Sequence, residues 1–234
     1  MTWNEFIIAS DELGFPLSAT QINQFHLYYD LLNEWNQKIN LTALTSESDI
    51  LEKHFYDSLL LAPFLKENHN LLDIGSGAGL PGIPIKILFP ELDVVLLEPT
   101  GKRARFLELV ISSLKLLKIR VVNERAEDFA HQAREAFFYV TARAVAQLAI
   151  LSELALPFTA VGGTFYPMKA KDTAAEIACS LSGIIRLGGN YRKTNSFLLP
   201  SHETRTIIEI GKEKPTPKKY PRQFGEIKKH PLIS

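Results

Sequence analysis

Cysteine is almost missing from this chain, since Cys179 is the only one among its 234 residues. A lone thiol excludes an internal disulfide framework and a cysteine-rich zinc site, and it is typical of proteins kept in a reducing compartment. We therefore expect a cytoplasmic protein without a metal site. The apolar fraction of 46% is ordinary for a globular chain and supports a sizeable core without cross-links.

Long apolar runs and an excess of charge of either sign are missing as well. No apolar stretch reaches the roughly 20 residues that span a bilayer, and residues 1–5 lack the basic start of a signal peptide. We therefore expect no membrane partner. Lysine plus arginine and aspartate plus glutamate both number 26, so whole-chain charge gives no support for nucleic-acid binding.

The distribution of charge is less even than its sum. Between Lys212 and Lys229 there are seven Lys/Arg residues against two Glu residues, and three prolines interrupt the segment. Such a segment is either a solvated tail or a surface that contacts the phosphates of a nucleic acid. The composition leaves both interpretations open.

The most informative segment is 71–82, where an apolar strand leads into a glycine-rich turn and then a helix. Gly75, Gly77 and Gly79 stand at alternate positions of the turn. Glycine suits positive φ and lets the backbone approach a ligand closely. The helix N-terminus behind the turn offers free N–H groups and the positive end of a dipole. The segment predicts a cofactor site.

A second apolar strand ends at Glu98, where a carboxylate in doubly wound folds accepts hydrogen bonds from a ribose. The glycine spacing alone fits both NAD and S-adenosylmethionine. Asp73, directly before the turn, favours S-adenosylmethionine because an acidic side chain there can reach the amino group of a methionine moiety. A tight turn without any ligand is the plainer alternative.

Beyond residue 70 the pattern alternates between strands and helices. Strands are predicted over 71–74, 93–97, 119–123, 137–141 and 162–167, and helices over 82–89, 101–117, 146–156 and 172–186. This alternation predicts an α/β fold with a mostly parallel, doubly wound sheet. Two further strand-like runs, 190–199 and 204–211, predict a closing antiparallel hairpin. That ending is typical of the Rossmann-like, seven-stranded sheet of class I methyltransferases rather than of dehydrogenases.

The first 68 residues are expected to form an N-terminal helical extension, and 69–234 a methyltransferase domain with a basic C-terminal segment. Ser18 and Gln21 match a capping box, and apolar residues recur behind them at helical spacing. A second helix is predicted over 50–65, with Pro63 as a late break. The run Asn36–Thr42 between them reads as a polar loop.

Three polar residues are candidates for orienting a substrate, although none is assigned as catalytic. Arg143 ends the fourth strand, and a buried arginine needs a carboxylate or a phosphate because it cannot lose its charge. It is either an orienting residue or half of a structural ion pair. His54 and Asp57 lie three residues apart on one helix face, with Ser58 beside them. Function and structure explain them equally well.

Two more segments bear on the chemistry. Ala126 and Glu127 follow the third strand, where their backbone amides and the carboxylate could contact an adenine edge, although a helix start explains them equally well. The fourth strand lacks the Asp/Asn-Pro-Pro-aromatic motif that holds an exocyclic amine, and it lacks a cysteine nucleophile. The sequence therefore supports neither amine methylation nor covalent attack on a pyrimidine.

Taken together, these motifs resemble one family over nearly the whole chain. They occur in the order Asn36–Thr42, Glu52-x-His54-x-x-Asp57-Ser58, Asp73–Pro84, Lys102-Arg103-x-x-Phe106-Leu107, Ala142-Arg143-Ala144 and Lys219-Tyr220-Pro221-Arg222. The chain resembles the GidB/RsmG family of bacterial 16S ribosomal RNA guanine-N7 methyltransferases. It departs from the usual Lys-Gly pair of that family at Lys169-Ala170, which affects a local loop rather than the cofactor site.

The resemblance implies an enzyme that transfers a methyl group from S-adenosylmethionine to N7 of guanine-527 in 16S ribosomal RNA. With the glycine loop, it implies cofactor contacts at Gly75, Gly77, Leu80, Glu98, Ala126, Glu127 and Arg143. RNA contacts are expected at Lys169, Lys218, Lys219, Arg222, Lys228 and Lys229. The partner is then the ribosomal RNA or the small-subunit particle, and we expect a monomer.

Three other functions fit parts of the sequence. The neutral net charge suits a methyltransferase that acts on a small molecule or a protein, and the basic segment suits a non-catalytic RNA-binding module. The intact glycine loop argues against such a module. A dehydrogenase is disfavoured by the closing hairpin.

Overall fold

Two capped helices form the N-terminal part of the chain, α1 (Trp3–Glu12) and α2 (Ala19–Ile39). The predicted capping box is confirmed at α2, where Ser18 accepts from the Gln21 backbone and the Gln21 side chain accepts from the Ser18 backbone. A second box, of Thr2 and Glu5, begins α1, which was not predicted. Each box satisfies backbone donors that a helix start leaves free.

The polar loop predicted over Asn36–Thr42 is wrong in its first half. Helix α2 continues to Ile39, and Asn40 ends it in the left-handed region with φ of 49°. Asparagine tolerates that region because its short side chain can hydrogen-bond locally. The Asn36 side chain accepts from the Thr42 backbone at 2.8 Å and so fixes the turn that follows.

The helix predicted over 50–65 is divided into four pieces. These are α3 (Glu47–Ile50), a π-helix (Leu51–Tyr56), α4 (Asp57–Leu59) and a 3₁₀ turn (Ala62–Phe64). Pro63 lies in the last piece, as the predicted break requires. The π-helix was not predicted, and it widens the turn that carries His54, a type of distortion that recurs at functional sites.

Seven strands pair into one sheet: β1 (Asn70–Ile74), β2 (Asp93–Leu97), β3 (Ile119–Val122), β4 (Phe137–Arg143), β5 (Thr159–Lys169), β6 (Gly189–Leu198) and β7 (Thr204–Lys212). Their order is β3-β2-β1-β4-β5-β7-β6. The first five run parallel, and β7 is antiparallel to both β5 and β6. The predicted α/β class and closing hairpin are confirmed, with β6 at the edge and β7 inside the sheet.

The remaining helices are α5 (Gly82–Leu88), α6 (Gly101–Ser113), α7 (Ala126–Phe129), α8 (Leu148–Ala155), α9 (Ala174–Arg186) and α10 (Phe224–Lys229). Helix α6 ends four residues before the predicted 117, because Lys115, directly after its C-cap residue Leu114, takes a positive φ of 54°. The structure is a computed structural model that describes residues 1–143, 145–170 and 173–233. Ala144 of the family motif and Asp172 of the predicted helix 172–186 lie outside them.

Apolar clusters cover both faces of the sheet. The first contains Phe6 and Phe25 of the N-terminal helices together with Leu71 and Ile207 of the sheet. The second packs α8 and α9 against the other face. A sheet buried on both sides explains why its central strands are continuous apolar runs. The first cluster crosses residue 68, so the proposed N-terminal extension shares its core with the sheet.

Within the described ranges, no helix is both long enough and apolar enough to cross a membrane.

Candidate functional site

The glycine-rich turn lies at the carboxyl end of β1. Gly75, Gly77 and Gly79 have φ of 68°, 58° and 96°, which confirms the predicted positive values. At Gly82, an added Cβ would lie 2.3 Å from Leu96 Cδ2 and 2.9 Å from Asp73 Oδ2. The turn therefore needs glycine for backbone conformation at three positions and for close packing at the fourth.

Asp73 is fully buried beneath this turn. Its Oδ2 accepts from the Gly82 backbone at 3.0 Å, whereas its Oδ1 has no hydrogen-bond partner among the described residues. Burial raises the pKa of the Asp73 carboxyl to about 7. Because a buried polar atom without a partner is costly, this oxygen is suited to the ammonium group of a bound methionine moiety.

Glu98 follows β2 and fixes the turn from the other side. Its Oε2 accepts from the Gly77 backbone at 2.9 Å and its Oε1 from the Thr100 backbone at 2.8 Å. The side chain is only 2% exposed. A carboxylate has about four acceptor positions, so two ribose hydroxyls can still be accommodated. The ribose contact itself stays a prediction.

An apolar cavity of about 220 Å³ lies across the carboxyl ends of β1, β2 and β3. Gly75, Leu97 and Ala126 line it, together with Glu127 and the aromatic side chain of Phe224. This is the crevice where doubly wound folds bind a nucleoside. The structure thus brings together Gly75, Ala126 and Glu127, which the sequence offered as cofactor contacts. Leu80, another of them, is buried in the first apolar cluster.

Arg143 ends β4 and meets the N-terminal helices. Its Nη1 donates to Asp57 Oδ2 at 3.0 Å and to the Lys53 carbonyl at 3.1 Å. His54 Nδ1 lies 3.4 Å from Arg143 Nη2, and His54 Nε2 lies 2.6 Å from Thr42 Oγ1. Burial, and then the Arg143 charge, lower the pKa of His54 to about 4. His54 is therefore neutral at physiological pH.

A second cavity, of about 450 Å³, lies beside this cluster. This cavity, here called the polar cavity, is lined by the neutral His54 and by six charged side chains: Lys53, Asp57, Arg143, Lys169, Glu203 and Arg205. Sequence analysis missed Lys53, Glu203 and Arg205. Lys53 belongs to the His54 motif and could have been identified from it. Arg205 contacts Asp57 across 148 positions of the chain, so no local sequence pattern reveals it.

The expected RNA-binding residues divide into two groups. Lys218, Lys219, Lys228 and Lys229 are exposed. Lys169 donates to Glu176 at 2.7 Å, and Arg222 donates to the fully buried Glu153 from Nε at 2.8 Å and from Nη2 at 2.6 Å. Arg222 is thus the cation of a structural ion pair. The four exposed lysines remain candidates for phosphate contacts, and Lys169 remains a candidate from the wall of the polar cavity.

The basic C-terminal segment is not a solvated tail. Lys212 is buried at the end of β7, where its Nζ donates a hydrogen bond to Thr216 Oγ1 at 2.6 Å and burial lowers its pKa to about 8. Arg134 donates to the carbonyls of Tyr220 at 2.8 Å and Pro217 at 3.0 Å. The segment is therefore packed against the sheet layers, with its remaining lysines outward. In the described residues, no group of three or more His, Cys, Asp or Glu side chains is placed to hold a metal ion.

Comparison with known families identifies the family of the chain. The profile of the GidB family, described as rRNA small subunit methyltransferase G, matches residues 21–204. This chain belongs to that family. The matched stretch contains the glycine turn, Glu98, Arg143 and the His54–Asp57 helix. The resemblance stated from the motifs is confirmed.

Curated relatives agree over the whole length. "Ribosomal RNA small subunit methyltransferase G" of Leuconostoc citreum is 42% identical over 238 residues, covering 99% of this chain and 100% of that protein. The protein of the same name from Geobacillus thermodenitrificans is 44% identical, and that from Bacillus subtilis 43%, each over 237 residues and 99% of this chain. These alignments cover 100% of the Geobacillus protein and 99% of the Bacillus protein.

Solved structures agree with the fold. TYW2 of M. jannaschii, in complex with AdoMet, superposes with a TM-score of 0.56 and 13% identity over 71% of this chain and 77% of that chain. A variant of the 16S rRNA (adenine(1408)-N(1))-methyltransferase from Catenulisporales acidiphilia gives 0.54 and 12% over 64% and 93%. At this identity the likeness shows the class I methyltransferase fold alone.

Proposed function

We propose that this protein transfers the methyl group of S-adenosylmethionine to N7 of one guanine in 16S ribosomal RNA. The observation that carries the proposal is the buried Asp73 oxygen, which has no hydrogen-bond partner among the residues that the structure describes. It lies beneath the glycine turn, and Glu98 holds that turn from the other side. An ammonium group and a ribose are the ligands that these two carboxylates suit.

The residues present fit the cofactor. Gly75, Gly77 and Leu80 would surround the methionine moiety, Glu98 the ribose, and Ala126 with Glu127 the adenine. The bound cofactor would supply a methyl group on a positively charged sulfur. Arg143 lines the polar cavity rather than the apolar one, so its proposed role is to orient the substrate through Asp57 and His54.

The proposed chemistry needs no general base. Guanine N7 has an in-plane lone pair and no proton, and His54 with its low pKa stays neutral. Positive charge moves from sulfur to the purine, so the site has little new charge to stabilise. The acceleration then comes from holding N7, the methyl carbon and sulfur in line, which can contribute several kcal/mol.

The polar cavity is the proposed place for the target guanine. It adjoins the end of β4, and Lys53, Lys169 and Arg205 in its wall supply donors for RNA oxygens. The exposed lysines 218, 219, 228 and 229 would bind the phosphate backbone, an affinity that falls with salt. We propose a monomer that acts in the bacterial cytoplasm on the RNA or the small-subunit particle, with an N-terminal extension (1–68) and a methyltransferase domain (69–234).

The target atom is testable directly. Small-subunit RNA is incubated with the purified protein and S-adenosylmethionine, treated with borohydride and aniline, and then mapped by primer extension. N7-methylation makes the nucleotide labile, so one strand break at a single guanine is expected. Methylated RNA that resists this cleavage would exclude N7. RNA that takes up no methyl group, as free RNA or in particles, would contradict the reaction itself.

A further inference from the structure

One wall of the apolar cavity comes from a part of the chain that the family profile does not match. Phe224 begins α10 and lines the cavity opposite the ends of β1 and β2. The profile ends at residue 204. The cavity otherwise has mainly aliphatic and backbone walls, with Ile74, Leu97 and Leu154 among them. Phe224 is the aromatic side chain in its lining.

Phe224 is held in place by the segment that carries it, residues 213–230, here called the C-terminal strap. Arg222 ties the strap to the fully buried Glu153 on α8 through its backbone N–H at 3.0 Å as well as its guanidinium. Arg134 donates to strap carbonyls, and Ile227 on α10 is fully buried. Two arginine anchors and one apolar anchor therefore fix the strap, and the position of Phe224 follows from them.

We propose that Phe224 is a cofactor-binding residue that contacts the adenine and closes its pocket from the outside. The inference rests on the proposed function, because it takes the 220 Å³ cavity as the adenine site. A flat base gains dispersion and stacking energy against an aromatic face, and removal of such a ring typically weakens base binding about tenfold. The strap therefore completes a pocket whose other walls come from the strand ends.

The test compares the wild type with four variants by calorimetric titration with S-adenosylhomocysteine and, separately, with adenosine. Phe224→Ala should raise both dissociation constants by about the same factor, roughly tenfold, because the lost contact is to the base that both ligands share. Phe224→Trp should keep wild-type affinity. Gln223→Ala is the matched control, since Gln223 is the exposed neighbour whose side chain makes no capping hydrogen bond.

Phe224→Leu separates contact from folding, because it preserves apolar bulk at the start of α10. It should unfold at the wild-type temperature without ligand and still bind adenosine several-fold more weakly. Affinities of the Ala and Leu variants within twofold of wild type would overturn the inference and leave the proposed function standing. A wild-type protein that binds neither ligand would overturn both.

Discussion

Arg143 Nη1 donates to Asp57 Oδ2 at 3.0 Å and so joins the last residue of β4 to the first residue of α4. The same oxygen accepts from Arg205 Nε at 3.3 Å. Asp57 thus holds two guanidinium groups from two strands beside the polar cavity. The sequence left a structural ion pair and an orienting role for Arg143 as alternatives, and the structure shows that the ion pair exists and lies in the wall of the site.

Replacing Asp57 by Asn should destabilise the protein by about 3 kcal/mol, because breaking a buried pair leaves an uncompensated charge. The side chains of Arg143 and Asp57 are 13% and 6% exposed, so solvent compensates little. The control is Lys38→Ala, whose pair with Glu34 is exposed and should contribute at most about 0.5 kcal/mol. Urea unfolding measures both, and equal losses would contradict the argument.

Glu98→Gln should weaken both the turn and cofactor binding. The carboxylate accepts from two backbone N–H groups, and an amide would turn a donor towards one of them, at a cost of about 1–3 kcal/mol. Thermal unfolding without ligand measures the first effect, and titration with S-adenosylhomocysteine the second. The exposed Glu108→Gln is the control. If wild type binds the 2′,3′-dideoxy analogue equally well, Glu98 does not hold the ribose.

The buried His54 should make stability depend on pH. Its folded pKa of about 4 lies below the ordinary 6.5, so the unfolded chain binds the proton more readily in that window. Stability therefore falls as pH is lowered from about 6.5 to 4, by about 3 kcal/mol. Asp73, with its raised pKa, acts in the opposite sense.

The difference between wild type and His54→Asn at each pH isolates the histidine, because Asp73 is common to both proteins. Urea unfolding from about pH 4 to 7 should show the wild-type advantage shrinking as pH falls. A constant difference would mean that His54 titrates normally in the folded state.

The basic residues of the strap should separate by experiment into two kinds. If each contacts a phosphate as proposed, replacing Lys218 and Lys219 together by Ala should make the slope of log affinity against log salt about two units shallower, with stability unchanged. Arg222→Ala should instead lower the free energy of unfolding by about 3 kcal/mol, since Glu153 would be left buried and unpaired. A lysine variant with an unchanged salt slope would remove these two residues from the RNA interface.

Single-turnover methylation should be nearly independent of pH between about 6 and 9, because N7 is already unprotonated and no side chain need titrate. The control is His54→Asn, which should keep the flat profile whatever its absolute rate. A limb that rises with pH would indicate proton removal during the reaction, and hence an amine or carbon target.

Sequence patterns located most of the sheet because its strands are apolar runs bounded by clear turns. The strand predicted over 93–97 has those bounds in the structure. The π-helix was not predicted, because its apolar residues also fit the spacing of an α-helix. The cofactor turn was readable because its signal is local. Arg205 and Phe224 could not be identified from local sequence, because Asp57 and the apolar cavity are brought close to them only by the completed fold.

The position of β7 has a consequence for synthesis of the protein on the ribosome. Among the described strands, β6 pairs only with β7, which is made after it and is placed between β5 and β6. Until residue 212 leaves the exit tunnel, β6 has no neighbour and β5 has an open side. The first five strands of a nascent chain can pair early. This edge of the sheet closes only after the polar loop that follows β6, and then β7, have been synthesised. Any message cut short before that strand would release a chain in which β5 has an open side and β6 has no neighbouring strand, both exposed to aggregation and to proteases.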